Sequence, residues 1–544
     1  MSDAPAQCSK AEQTGERQRP LATLLGRNTI FSYLGRFGVS IVALLLTPYV
    51  YHKLGVELFG VWALLTVITG YTGLIDMVSP VALTKYVAEA RAKNDTVAIH
   101  RMASTGLVIH VGLGIAVMGA TWVLAGHILT WLKVSPGAHA EARVALLLCV
   151  GSACGRRMTS VFGCVLEGLQ RLDITNAVRI VIAAAGGIGA VLVLALGYGI
   201  VGLALRSAAV WVIEGVILAV LAKRNLPGLR LSLRQLGRHT ARRLAVFAVK
   251  VQAVTLSGLC MVNTDRLIVG AVLGPASVAL YELALRPVIA IHGAVGPIVS
   301  PMIPGASHLG AHADRARLRS LFLRASRYTA LLSVAGIGLL MAIGPQALRA
   351  WIGEVDPKTV SVMYALAAGY MANMLTTPTT GIGYGLGRPE FAVWRGALLV
   401  ALQLGLGVAL VRPFGLPGPA MATTVALVSS SLIYVWLVAR HCLGLTMLAG
   451  VFRVWLGPLV AGAVPAGAVY GLVQLLDGTG AFQGRLGAAG LVSMGCLSFA
   501  ALWSGIVLST GLVTGDDTAL LRTAVRSVLG RREAGKVSVA VQQS

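Results

Sequence analysis

The chain has 544 residues, of which 56% are hydrophobic and only 12% charged, with a formal net charge of +24. Soluble domains carry about 25% charged residues, so this composition excludes an ordinary soluble enzyme. Seven cysteines without CxxC spacing exclude a zinc module and a disulfide framework.

The first 26 residues are polar and contain no apolar signal core. Apolar runs of about 20 residues then recur to the end, each long enough to cross a hydrocarbon layer of about 30 Å. We read fourteen, at about 29–50, 59–78, 99–124, 143–167, 174–196, 200–222, 244–272, 278–300, 321–343, 360–386, 392–411, 416–439, 450–472 and 486–511. Runs so apolar are helices, because a membrane β-barrel would show short alternating strands.

The basic residues collect in alternate loops. Lys85, Arg91 and Lys93 lie in one, seven cations between Lys223 and Arg243 in the next, and Arg315, Arg317 and Arg319 in a third. The tails add Arg17, Arg19, Arg27, Arg522, Arg526, Arg531, Arg532 and Lys536, while the other loops hold few. The positive-inside rule then puts both termini in the cytoplasm and requires an even number of spans, as in a multi-pass protein of a bacterial inner membrane. The charge thus sets topology, and a nucleic-acid partner is not implied.

Three patterns occur twice. Leu54-Gly55 with Gly60 and Trp62 returns as Leu273-Gly274 with Ala279 and Tyr281, 219 residues on. Gly168-Leu169-Gln170-Arg171 returns as Gly385-Leu386-Gly387-Arg388 after 217, and Gly199-Ile200-Val201-Gly202 as Gly415-Leu416-Pro417-Gly418 after 216. The near-constant offset predicts an N-lobe of helices 1–6 over 27–222, a basic linker over 223–243 and a C-lobe of helices 7–12 over 244–440. Two further helices over 441–511 and a cytoplasmic tail over 512–544 complete the chain. An even number of helices per repeat keeps the lobes in the same orientation, a plan that suits rocking of one lobe against the other.

Eight cations lie inside the spans: Arg36, Arg156, Arg157, Arg179, Arg206, Lys250, Arg266 and Arg286. The segments after Tyr328 are expected to hold no comparable charge. A cation at mid-bilayer costs about 2.5–3.5 kcal/mol on the gentlest scale, so such residues face a protein interior or a wet cavity. The acids at similar depth are Asp76, Glu167, Glu214, Asp265 and Glu282, which leaves a surplus of three positive charges (eight less five). That surplus suits an anionic cargo. Arg36, Arg157, Arg206, Lys250, Arg266 and Arg286 are the candidate cleft cations, led by Arg36. Asp76, Glu214 and Asp265 are candidates for carrying a coupling proton or sodium ion.

Other readings of these charges are structural. Glu282 and Arg286 have i,i+4 spacing, and Asp265 and Arg266 can join them in one network. Arg179 can snorkel to the headgroups, and the adjacent Arg156 and Arg157 point about 100° apart, so only one should face a cleft. No nucleotide loop, metal cluster or Ser/His/Asp constellation is present, so no cofactor and no catalytic residue is expected.

The chain resembles the multidrug/oligosaccharidyl-lipid/polysaccharide exporter superfamily, and within it the Wzx-type polysaccharide flippases. The resemblance rests on Asn28-Thr29, Pro48, the run from Lys53 to Trp62, Asn263-Thr264-Asp265-Arg266, Leu273-Gly274, Gly385-Leu386-Gly387-Arg388 and Gly415-Leu416-Pro417-Gly418. It covers about residues 24–440. It implies a MATE-like all-α fold of two six-helix lobes plus two C-terminal helices, alternating between inward- and outward-facing states. It also implies a cargo, an oligosaccharide on undecaprenyl diphosphate, moved across the inner membrane among membrane lipids. A polysaccharide polymerase or export machinery would be the protein partner. One departure is Asp76-Met77-Val78, where relatives often have glycine after the aspartate. The alternatives are a lipid II flippase, a multidrug or cation antiporter, which usually has twelve helices, and a membrane glycosyltransferase or polymerase. The last needs a substantial outward loop, and the longest here are expected near 125–142 and 344–359.

Overall fold

In lipid, backbone donors and acceptors must be satisfied within the chain, so apolar segments fold as helices. The computed structural model describes residues 21–75, 80–228, 237–312 and 314–512, and every regular element among them is helical. Side chains in 21–41 and at several positions of 238–254 lie outside the described set. Residues 37–506 form one compact unit; residues 1–36 and 507–544 form another, in which only helical turns over 21–36 and 507–509 and a short turn to 512 are described.

Among the described residues sixteen α-helices follow in order: α1 (Leu21–Tyr71), α2 (Pro80–Ala92), α3 (Thr96–Trp131), α4 (His139–Gly168), α5 (Leu172–Ala195), α6 (Gly199–Asn225), α7 (Arg238–Leu273) and α8 (Pro275–Val295). Then come α9 (Val299–Ala311), α10 (Arg315–Ile352), α11 (Pro357–Leu375), α12 (Thr377–Gly385), α13 (Glu390–Phe414), α14 (Pro417–Val438), α15 (Arg453–Gly478) and α16 (Gly484–Ser509).

Among the described residues, 12 helical stretches are long and apolar enough to cross a membrane. Two local events account for the difference from the fourteen expected. The first two segments run together in α1 across a kink at Gly55. The tenth is divided at Thr376 into α11 and α12, and α11, although 19 residues long, is less apolar than the 12. The long outward loops expected near 125–142 and 344–359 are mostly helix, since α3 runs to Trp131 and α10 to Ile352.

The positions that repeat in the sequence share a backbone state. Gly55 has φ 74° and ψ 171°, and Gly274 has φ 89° and ψ 173°. Glycine takes such angles without the Cβ penalty, and each ends one helix and re-aims the next. Gln170 and Gly387 (φ 60° and 70°), like Gly199 and Gly415 (φ 55° and 62°), are also left-handed in pairs. The helix after each first glycine is interrupted by a 3-10 turn, Thr72–Ile75 in one case and Gly296–Ile298 in the other.

Burial differs between the two ends of the bundle. Toward the Gly55 end, which also holds the Gly274, 353–356 and 479–483 connections, a single core joins Phe59, Leu64 and Leu146 to Val269, Tyr281 and Tyr370. At the opposite end, two separate cores form, one around Leu83, Val165 and Leu218, the other around Phe322, Ile382 and Tyr434. Helices α15 and α16 add Val469, Val473 and Phe499 against Ala342 and Ile343 of α10.

Lipid supplies no hydrophobic drive between helices, so close approach at small residues does the packing. Gly60 faces Pro275 so closely that a Cβ would overlap the Pro275 carbonyl. Gly60→Ala should therefore cost about 1–3 kcal/mol through overpacking and lower the aggregation temperature in detergent. Gly112→Ala, where a Cβ meets nothing within 4 Å, should leave that temperature unchanged.

Candidate functional site

Three of the expected site residues cannot be placed by their side chains. Arg36 and Lys250 have helical backbones in α1 and α7, but their side chains lie outside the described residues, and so does the whole of Asp76.

Arg266 and Arg286 meet at one carboxylate. Glu282, 7% exposed, receives Arg266 Nη1 at 2.7 Å on Oε2 and Arg286 Nε at 3.1 Å on Oε1. Arg266 also donates to Asn263 Oδ1 at 2.6 Å and to the Val262 carbonyl at 3.2 Å. Arg286 reaches α1, where it donates to Thr47 Oγ1 and, at 3.4 Å, to the Ala43 carbonyl. Its guanidinium lies 5.8 Å from the Phe59 ring centre. The trio keeps one net positive charge.

Asp265 is not part of that trio, because adjacent helical residues point about 100° apart. It is buried among neutral donors from three helices: Tyr281 on α8, Gln403 on α13 at 3.0 Å and Thr423 on α14 at 2.7 Å. The single Asp265–Arg266–Glu282–Arg286 network expected from the sequence is thus two clusters.

In the first half of the chain, Arg156 pairs with Glu214 of α6 at 3.1 Å and Arg179 with Glu167 of α4 at 2.6 Å. Arg157 donates to Thr72 Oγ1 at 2.9 Å, in the 3-10 turn after α1. Gly73 permits this approach, since a Cβ there would lie 2.9 Å from Arg157 Nη2. Arg206 on α6 donates to the Gly186 carbonyl at 2.9 Å, and its Nε is buried without a partner.

The segments after Tyr328, expected to hold no comparable charge at mid-depth, carry Arg395 near one helix end. This residue lies in α13, one turn inside the helix, with a buried Nε that has no hydrogen-bond partner. Its Nη2 is 3.5 Å from Ser431 Oγ, and the guanidinium is 5.3 Å from the Tyr434 ring centre. Among the described residues, neither Arg206 nor Arg395 has a carboxylate within salt-bridge reach. Arg395 was visible in the sequence as an arginine inside the 392–411 segment. Thr47, Gln403 and Thr423 carry no such signal, because neutral residues join these clusters only through the fold.

This helical arrangement is similar in fold to solved transporters of the multidrug/oligosaccharidyl-lipid/polysaccharide (MOP) exporter superfamily. An inward-facing MATE transporter of that superfamily superposes with a TM-score of 0.57 at 14% identity, covering 80% of this chain and 94% of its own. The lipid II flippase MurJ, in an inward closed conformation, superposes with a TM-score of 0.63 at 12% identity, covering 88% and 99%. In sequence, a Shigella flexneri protein named as an O-antigen transporter is 22% identical over 439 residues, 76% of this chain and 98% of that protein. Residues 25–309 match the family described as "Polysaccharide biosynthesis protein", and the chain belongs to that family.

Glu282 is the member of the trio whose loss leaves the buried Arg266 and the half-buried Arg286 uncompensated. Breaking a buried pair in this way costs about 3–5 kcal/mol. Glu282→Gln should thus lower the detergent aggregation temperature sharply, and adding Arg286→Gln should recover part of the loss. Equal stability of wild type and the single variant would contradict the buried trio.

Proposed function

We propose that the protein is a flippase that carries an oligosaccharide linked to a polyprenyl diphosphate across the bacterial inner membrane by alternating access. It is a membrane transporter and not an enzyme, as befits a chain whose relatives are named transporters and flippases. The observation that carries the cargo assignment is the pair of guanidiniums, Arg206 and Arg395, set inside helices with no carboxylate partner among the described residues. An isolated charge in such surroundings is costly, and a diphosphate supplies the missing counter-charge. Arginine's planar fork of donors matches phosphate oxygens, and it stays protonated at depth.

In this reading Arg36, Arg157, Arg206, Lys250, Arg266 and Arg286 line the cargo path, and Arg395 joins them. The lobes are 27–222 and 244–440, with both termini in the cytoplasm. The single core at the Gly55 end and the separate cores at the other support a state closed at the outer end. Asp76, Glu214 and Asp265 are the candidates for ion coupling; Asp265 has neutral partners, whereas Glu214 pairs with Arg156. Polymerase or export proteins would take the cargo after release.

A second reading, flipping of lipid II, is favoured by the coverage of the MurJ superposition. Both cargoes present the same diphosphate and differ in the sugar.

Arg36→Gln combined with Lys250→Gln should abolish polymer export while the protein still inserts in the membrane. Complete lipid-linked units should accumulate on the cytoplasmic face. Normal export by a well-expressed double variant would contradict a cationic path, and loss of sugar transfer would point to an enzyme instead.

A further inference from the structure

Several side chains of the second half of the chain and of α16 converge on one short strip of α1, residues 43–52. One of their targets follows from a single residue. In an α-helix each N–H bonds the carbonyl four residues back, and Pro48 has no N–H. The Leu44 carbonyl is therefore left without its helical donor, and Trp351, at the end of α10, gives it the indole Nε1–H at 3.0 Å.

The neighbouring positions are clasped as well. Thr47 donates its hydroxyl to the Ala43 carbonyl at 2.7 Å, and accepts from Arg286 of α8. One turn further on, exposed Arg485 at the start of α16 donates Nη2 to His52 Nε2 at 2.9 Å and to the Trp351 carbonyl at 3.2 Å. Trp351 is thus held on both sides, its indole by α1 and its carbonyl by α16. On the same end, Lys133 Nζ donates to the Val272 carbonyl at 2.7 Å.

We propose that residues 43–52 are the latch strip of the outer closure, and that Pro48 and Trp351 are positioning residues of the transport cycle. Pro48 acts by leaving the Leu44 carbonyl open, and Trp351 acts by occupying it. These are polar bonds to a rigid helix, and they can be broken and remade one at a time. Packing alone would release more slowly, because interlocked side chains must all separate together. The inference rests on the transporter reading above, but its test needs no cargo, so its failure is separable from failure of that reading.

The reporter is Leu64→Cys, a position 1% exposed whose side chain packs against Gly270 of α7. Reaction with a membrane-impermeant thiol reagent is timed from the outer side in spheroplasts and from the inner side in inverted vesicles, with the parent protein as background. Losing one hydrogen bond should shift the closed–open balance by about two- to tenfold. Trp351→Phe, which keeps a ring and loses the N–H, should speed outer labelling by that factor. Pro48→Ala restores an N–H that draws the Leu44 carbonyl back into the helix, and should have the same effect. The two together should do no more than either alone, since both break one bond. Inner labelling should not rise, whereas general destabilisation would raise both. Leu132→Cys, 1% exposed against the same glycine, is the second reporter should Leu64→Cys fail to fold. Unchanged outer labelling in both single variants, or independent effects that multiply in the double, would overturn the proposal.

Discussion

The constraint on which the rest depends is the cost of a guanidinium in an apolar bundle, and Glu282 answers it for two of them. One carboxylate, 7% exposed, holds two arginines from different helices, and one of them continues to Thr47 on α1. A buried pair of this sort adds little net stability, since desolvation offsets attraction, yet removing one partner is severe. Its effect is therefore to fix how α7, α8 and α1 meet. The alignment of the Gly55 end, the approach of Gly60 to Pro275 and the reach of Trp351 to Leu44 are all compatible with that one arrangement.

Charges that Glu282 does not serve are handled differently in the two halves. Arg156 and Arg179 find acids on neighbouring helices, Glu214 and Glu167. Arg206 and Arg395 find only a carbonyl, a distant hydroxyl and an aromatic face. These weak partners leave capacity for an anion, which a neutralised pair does not. Of the eight cations read from the sequence, Arg206 is one so placed, and Arg395 lies outside those eight.

Much of the fold was legible in the residues for physical reasons. Helix positions followed from apolar length, and the repeat followed from glycines whose left-handed angles the backbone needs at Gly55 and Gly274. What escaped was continuity. Thr376 interrupts a segment that composition presents as one, whereas the two segments expected on either side of Gly55 do part there. The site was only partly legible. The i,i+4 spacing of Glu282 and Arg286 announced their pair, whereas Arg266 joined it from another helix and Asp265 left it for Tyr281, Gln403 and Thr423. Sequence spacing reports contacts along one helix. Contacts between helices depend on rotation and register, which charge patterns do not encode.

The central claim is that this bundle moves a diphosphate-linked oligosaccharide between leaflets. It is tested most directly in proteoliposomes containing purified protein and a fluorescently tagged polyprenyl-diphosphate oligosaccharide, treated with a glycosidase that cannot cross the membrane. In protein-free vesicles the inner-leaflet cargo stays protected. With the protein present, the account predicts that the protected share is digested over time, and that it stays protected when Arg206 and Arg395 are both glutamine. Protection equal to that of protein-free vesicles, with the wild-type protein folded and correctly inserted, would contradict it.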